Sequence, residues 1–243
     1  MREKNSAGGR RVQLHRALSK LGQGSRTQAW DWIRAGKVTV DGRVVTDPLT
    51  WVDIDRQRIS RQGQADAPPT VVIALHKPRG IVTTRKDEHG RRTVYDHLPA
   101  DLPWVFPAGR LDADSEGLLI LTNDSQLAVR LTEPEQHVPK TYHVTIRGVP
   151  TAEMIQQLRA GITLDDGPTR PAVVEVLEQG PEQTVVRMVL TEGRNRQIRR
   201  MWAAQGHKVR RLIRVVIGKL PLGDLPAGQC RLLNEADVRA LLA

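Results

Sequence analysis

Gly109 to Asp124 reads GRLDADSEGLLILTND. Its second half is an apolar run closed by Thr-Asn-Asp, the pattern of a buried strand with a turn behind it. Its first half sets Asp112, Asp114 and Glu116 at alternate positions between Gly109 and Gly117, with Arg110 alongside. Such a turn admits three readings. A calcium loop also opens D-x-D-x-E-G, but its twelfth position would be Asn123 where a bidentate Glu belongs, and the flanks read as strands and turns rather than paired helices. A glycosidase pair would use Asp112 and Asp114, yet retaining enzymes hold two carboxyls about 5 Å apart, usually from separate strands. The third reading is an ordinary acidic turn capping a strand. The arginine beside the acids and the glycine at each end favour a functional loop.

Downstream, YHVTIRG (Tyr142–Gly148) alternates as a half-buried strand does, with Tyr142, Val144 and Ile146 on one face. TVVRMVL is another strand. EGRNRQIRRM (Glu192–Met201) opens a basic helix over about residues 195–205, with Ile198, Met201 and Trp202 as its apolar stripe and Arg196, Arg199 and Arg200 off it. The strand RLIRVVIG follows, and a short capped helix spans Asn234 to Leu242. Upstream, VVIALHKPRG is a buried-type strand ending at Pro78 and Gly80. Strands and helices without regular βαβ alternation predict an α+β domain over residues 70–243.

The first part of the chain reads as a separate module, residues 10–60. Leu14, Ala17, Leu18 and Leu21 form a helical stripe stopped at Gly22. Ser25 and Gln28 are spaced as a capping box for a second helix with Ala29, Trp32 and Ile33 inward. Asp41-Gly42 joins two Val-rich strands as a hairpin. Residues 61–69, RQGQADAPP, read as a linker, and Met1–Arg11 as a disordered basic arm.

Charge bears on partners. The 243 residues carry a net +10, which suits a polyanion. Between Arg187 and Lys219 ten cations face one anion, Glu192, a concentration that favours a binding surface. Cys230 is the only cysteine, so no disulfide framework or cysteine metal cage is expected. No apolar leader and no run near the ~20 residues of a membrane span is evident, which makes the cytoplasm the expected compartment.

The clusters KPRG (Lys77–Gly80), GRLDADSEGLLILTND, KTY (Lys140–Tyr142) and EGRNRQIRRM agree in order and spacing with the ribosomal-RNA pseudouridine synthases of the RsuA/RluB family, and the chain resembles them from about Val12 to Leu222. LSKLGQGSR, IRAGKVTVDG and VVTDP resemble the small RNA-binding domain shared with ribosomal protein S-four; Gln23-Gly24 stands where a more apolar pair is usual. The resemblance implies that Asp112 is the essential aspartate, that Tyr142 stacks on the target base and that Arg199 pairs with the aspartate. Arg110 and Lys140 take substrate-placing positions, and Lys77, Arg196 and Arg200 join them as candidate substrate contacts. It further implies ribosomal RNA as substrate, no cofactor and no metal, since the isomerisation conserves every atom. EGRNRQIRRM followed by RLIRVVIG is nearer the large-subunit branch. The expected working unit is a monomer.

Two other classes compete with a synthase. A non-catalytic RNA-binding ribosome-assembly factor would use the basic surface without needing Asp112, Tyr142 and Arg199 together. A glycosidase would require a second carboxylate across a sugar-sized cleft.

Overall fold

The computed structural model describes residues 11–63 and 69–243, which pack as two units. One holds the described residues up to Val71 with Leu102–Phe106 and Asn123–Ser125; the other holds the rest. The expected basic arm, apart from Arg11, lies outside the described residues, as do residues 64–68 of the expected linker. Arg11 opens a strand and Arg61 closes one, so both are ordered where a tail and a linker were expected.

In the first unit β1 (Arg11–Gln13) pairs with β4 (Trp51–Asp53), and β2 (Val38–Val40) lies between β3 (Arg43–Val44) and β5 (Ile59–Arg61). Helices α1 (Leu14–Lys20) and α2 (Arg26–Arg34) bury Leu14, Ala17, Leu18, Ala29 and Ile33 in one core. Both reciprocal bonds of the Ser25–Gln28 capping box form. Asp41 and Gly42 both take positive φ, 51° and 80°, as the tight turn between twisted strands requires. A Cβ on Gly24 would come within 2.4 Å of the Trp32 ring, so the small residue there makes room for that tryptophan.

The second unit is a mixed sheet with helices. Its strands are β6 (Val72–Lys77), the short β7 (Phe106–Pro107), β8 (Glu116–Thr122), β9 (Lys140–Arg147), a small hairpin of β10 (Thr163–Leu164) and β11 (Gly167–Pro168), β12 (Val173–Gln179), β13 (Gln183–Leu190), β14 (Val209–Ile217), β15 (Leu220–Pro221) and β16 (Cys230–Leu232). The main path runs β12-β13-β9-β14-β8-β6-β16. Of these pairings only β14 with β8 is parallel. Helices are α3 (Ser125–Thr132), α4 (Ala152–Ala160), α5 (Gln197–Ala204) and α6 (Glu235–Leu241), the last capped by Asn234 as its sequence predicts.

Val144, Ile146, Val186 and Met188 form the core with Ile198, Met201 and Trp202 of α5 packed among them. Trp202 is fully buried and its Nε1 donates to Met188 Sδ at 3.1 Å. Tyr142 follows Val144 and Ile146 on the same face and only partly joins this core. The sheet face that is packed at Val144 therefore opens into a cavity at Tyr142.

Candidate active site

The acidic loop reaches its place because of Gly117. There φ is +107°, and a Cβ would stand 2.2 Å from Arg214 O of the neighbouring strand. With no side chain, β8 enters beside β14 in the register Glu116↔Ile213 and Gly117↔Arg214. The eight residues before Gly117 are then held from behind by the KPRG segment and its continuation. Gly80 N donates to Ala113 O at 2.7 Å, and Thr83 Oγ1 donates to Leu111 O at 2.7 Å. Lys77, with no exposed surface, donates from Nζ to Ser115 O at 2.8 Å and Pro78 O at 3.1 Å. Burial pulls its ammonium pKa down to about 8, with Asp112, Asp114 and Glu116 opposing the fall.

Lys77 is thus a strut under the loop, since it gives two hydrogen bonds to main-chain carbonyls and does not line the cavity. The structure therefore places this expected substrate contact beneath the loop, away from the cavity lining. Arg200 also lies off the cavity lining: its guanidinium forms a two-pronged contact with Asp166, both bonds 2.9 Å. Arg194 binds the same hairpin through Gly167 O and Pro168 O.

A cavity of about 330 Å³ lies in the second unit. Arg110, Asp112, Lys140, Tyr142 and Arg196, all anticipated from sequence, line it. Arg199 does not. Its Nη2 donates to Asp114 O at 2.8 Å, and its Nε lies 3.3 Å from Asp114 Oδ2. Arg196 takes both oxygens of Asp114 at 3.0 and 2.8 Å and also stands 3.6 Å from Asp112 Oδ2. The pairing anticipated between Arg199 and Asp112 is therefore redistributed: both arginines grip Asp114, and Arg196 is the cation beside Asp112. The hydrogen bonds from Arg196, ahead of the nearby charge of Arg199, hold the Asp114 carboxyl below its usual range. Asp112, 36% exposed at its side chain, has its cation beyond hydrogen-bond reach and stays open to the cavity.

Three rungs of β9 organise the opposite wall. Lys140 and Tyr142 point the same way two residues apart, and Arg214 of β14 sits directly across from Tyr142. Burial first, then the charge of Arg214, brings the Lys140 pKa down to about 8. Arg214 was not anticipated as a site residue. The signal was present in VRRLIRVVI: Arg214 has the parity of the core residue Leu212, an inward position where a cation is out of place. Glu192 was also missed. It lines the cavity, accepts from Arg170 N and Gln197 Nε2, and steadies the start of α5.

The count of ten cations against one anion was a property of the linear sequence. In the fold Arg187 meets Glu175, Arg200 meets Asp166 and Arg211 meets Glu116, carboxylates supplied from other segments. Among the described residues there is no cluster of three or more His, Cys, Asp or Glu able to hold a metal, and no helix long and apolar enough to cross a membrane.

Comparison with known proteins bears on the same residues. Residues 71–204 match the sequence model of the family described as RNA pseudouridylate synthase, and residues 13–50 match that of the S4 domain. The chain is 35% identical to ribosomal large subunit pseudouridine synthase B of Bacillus subtilis, over 95% of this chain and 96% of the relative. It is 40% identical to an uncharacterized RNA pseudouridine synthase of Mycobacterium tuberculosis, over 96% and 93% respectively. A crystal structure of a pseudouridylate synthase, 30% identical, superposes with a TM-score of 0.70 over 95% of this chain and 99% of that one.

Proposed function

The chain belongs to the RNA pseudouridylate synthase family, and from that premise we propose that it isomerises a specific uridine of ribosomal RNA, large-subunit RNA ahead of small-subunit RNA, with Asp112 as the reacting carboxylate. The observation that carries the assignment of the site is the open carboxylate of Asp112 in the cavity wall, in a lining it shares with Tyr142, Lys140 and Arg196. The preference for the large subunit rests on the EGRNRQIRRM and RLIRVVIG segments and on relatives in two bacteria that bear the large-subunit name.

The reaction breaks the bond from ribose C1′ to uracil N1, turns the ring and rejoins C1′ to C5, from which a proton departs. Asp112 acts at the ribose or the base. Tyr142 offers its ring as a stacking surface for uracil, Lys140 and Arg110 place the nucleotide, and Arg196 sits between the two aspartates. Arg199 keeps the loop in position through Asp114, which makes it a positioning residue in this reading. A uridine in a duplex cannot enter so small a cavity, so it is flipped out or taken from a loop. Phosphate contacts from the basic surface and the S4 module would make affinity fall steeply with salt. In this reading the working unit is a monomer acting on RNA in the cytoplasm.

The test is pseudouridine mapping of ribosomal RNA from cells lacking the gene, complemented with wild type or Asp112→Asn. Loss of one large-subunit pseudouridine, restored by wild type alone, is the expected result. Restoration by Asp112→Asn would remove Asp112 from the chemistry, and an unchanged map would leave an RNA-binding assembly factor as the better reading.

A further inference from the structure

Arg214 occupies a costly position. Its side chain is 5% exposed in the middle of an apolar strand, and burying a guanidinium is unfavourable unless its donors and charge are matched. One donor is matched: Nε gives a hydrogen bond of 2.7 Å to Leu118 O. Nη2 is buried with no partner. No ion pair to a carboxylate forms on Arg214 among the described residues. The same guanidinium lines the cavity, cross-strand from Tyr142, with Lys140 two residues further along that partner strand. Glu192, an acid of the same wall, is engaged by Arg170 N and Gln197.

Two cations thus face a cavity whose wall leaves them uncompensated. The charge of Arg214 adds to burial in lowering the pKa of Lys140. An anion, or a ring gathering negative charge, entering beside Tyr142 would relieve both. We propose that Arg214 is a further catalytic residue, donating from its unpaired guanidinium N–H to a carbonyl oxygen of the uracil stacked on Tyr142 and stabilising the charge that collects there as the N1–C1′ bond breaks. This rests on the reading of the cavity as a uridine site. When the bond breaks, its electron pair leaves with uracil and spreads from N1 over O2 and O4. When C1′ rejoins at C5, the pair forms the new bond and the C5 proton is lost, so no oxidant, reductant or added group is required. A fixed donor aimed where charge develops is worth more in an enclosed site than in water. Gly117 serves this arrangement, because only a residue without a Cβ lets β8 approach Arg214 closely enough for Leu118 O to orient it.

The test compares leaving groups. Full-length protein is assayed under single turnover on large-subunit ribosomal RNA transcribed with uridine or with 5-fluorouridine, and consumption of the starting nucleoside is followed by mass spectrometry, because C5 of the fluorinated ring has no proton to lose and its rejoined product keeps fluorine on a saturated C5. Fluorine draws charge from the ring and partly substitutes for a missing donor. Arg214→Gln is expected to slow the uridine reaction about 10²- to 10³-fold, and the 5-fluorouridine reaction roughly tenfold less than that. Arg214→Lys, which keeps the charge, should slow the uridine reaction less than Gln does and still slow it more than the 5-fluorouridine reaction, so it carries the comparison if the Gln variant folds poorly. Equal slowing on both substrates would overturn the proposal in favour of a phosphate contact or a purely structural part, and so would no slowing. Wild-type protein inactive on both RNAs would instead overturn the reading of the site, and this inference with it.

Discussion

On the back of the loop from Gly109 to Gly117, polar groups are spoken for: Ala113 O by Gly80 N, Leu111 O by Thr83, Ser115 O by Lys77 and the Asp114 carboxylate by hydrogen bonds from Arg196 and an ion pair with Arg199. On its front, Asp112 has a cation at 3.6 Å, Arg110 is exposed, and across the cavity Arg214 keeps an unpaired nitrogen. Two aspartates a residue apart thus have opposite fates. The satisfied one gives the loop its shape, and the unsatisfied one faces the cavity. Buried polar groups are normally paired, so groups left open in a rigid frame point to what the frame is for.

The sharpest way to break this contrast is Asp112→Asn in purified protein. Pseudouridine formation on ribosomal RNA should drop on the order of 10³-fold or more while thermal unfolding stays unchanged. A large stability loss instead would put Asp112 among the structural residues of the back.

Lys77→Met probes the other side. Leaving Ser115 and Pro78 carbonyls without their donor should cost about 1–3 kcal/mol at neutral pH, read by urea unfolding. The sign of the pH effect follows from the lysine's fall to about 8 from 10.5. Between those values the unfolded chain binds the proton more than the folded one, so wild-type stability should gain as pH rises through that window. Groups other than Lys77 are common to both proteins, so the difference between the two pH curves isolates it. Parallel curves would mean that Lys77 is not buried as a strut.

Lys140, on the front, shares that lowered pKa of about 8. If its charged form serves the reaction, kcat/KM is retained below that pH and declines about tenfold per unit above it. Lys140→Arg should remove the decline, and an unaltered profile would assign the alkaline limb to another group. The smallest effect is expected from Arg200→Ala. An exposed ion pair contributes about 0–1 kcal/mol, so unfolding and RNA affinity measured by filter binding should both change little. A marked loss of affinity would return Arg200 to the RNA-binding surface.

Legibility from sequence followed contact range. The first unit could be read because its signals are local: Ser25 caps with Gln28, and Asp41-Gly42 turns between strands two residues away. The apolar stripe of α5 could be read for the same reason. Arg214 opposite Tyr142 could not, because strand order brings together residues far apart in the chain. Nor could the partner of Arg199. Arg196 and Arg199 are three apart around one helical turn, and Asp112 and Asp114 two apart along a loop; which pairs with which depends on the docking of α5, which no motif states.

The contacts behind the loop have a consequence for variation. Ala113 and Leu111 are held by their carbonyls, and Ser115 by the carbonyl that Lys77 reaches. A main-chain acceptor is the same atom in every residue type, so the frame constrains the number of links between Thr83's partner and Gly117 more tightly than the identity of each. Removing or adding a single residue there would slide every acceptor off its donor at once. The segment is therefore a ruler more than a motif: tolerant at some letters, intolerant of any change in length.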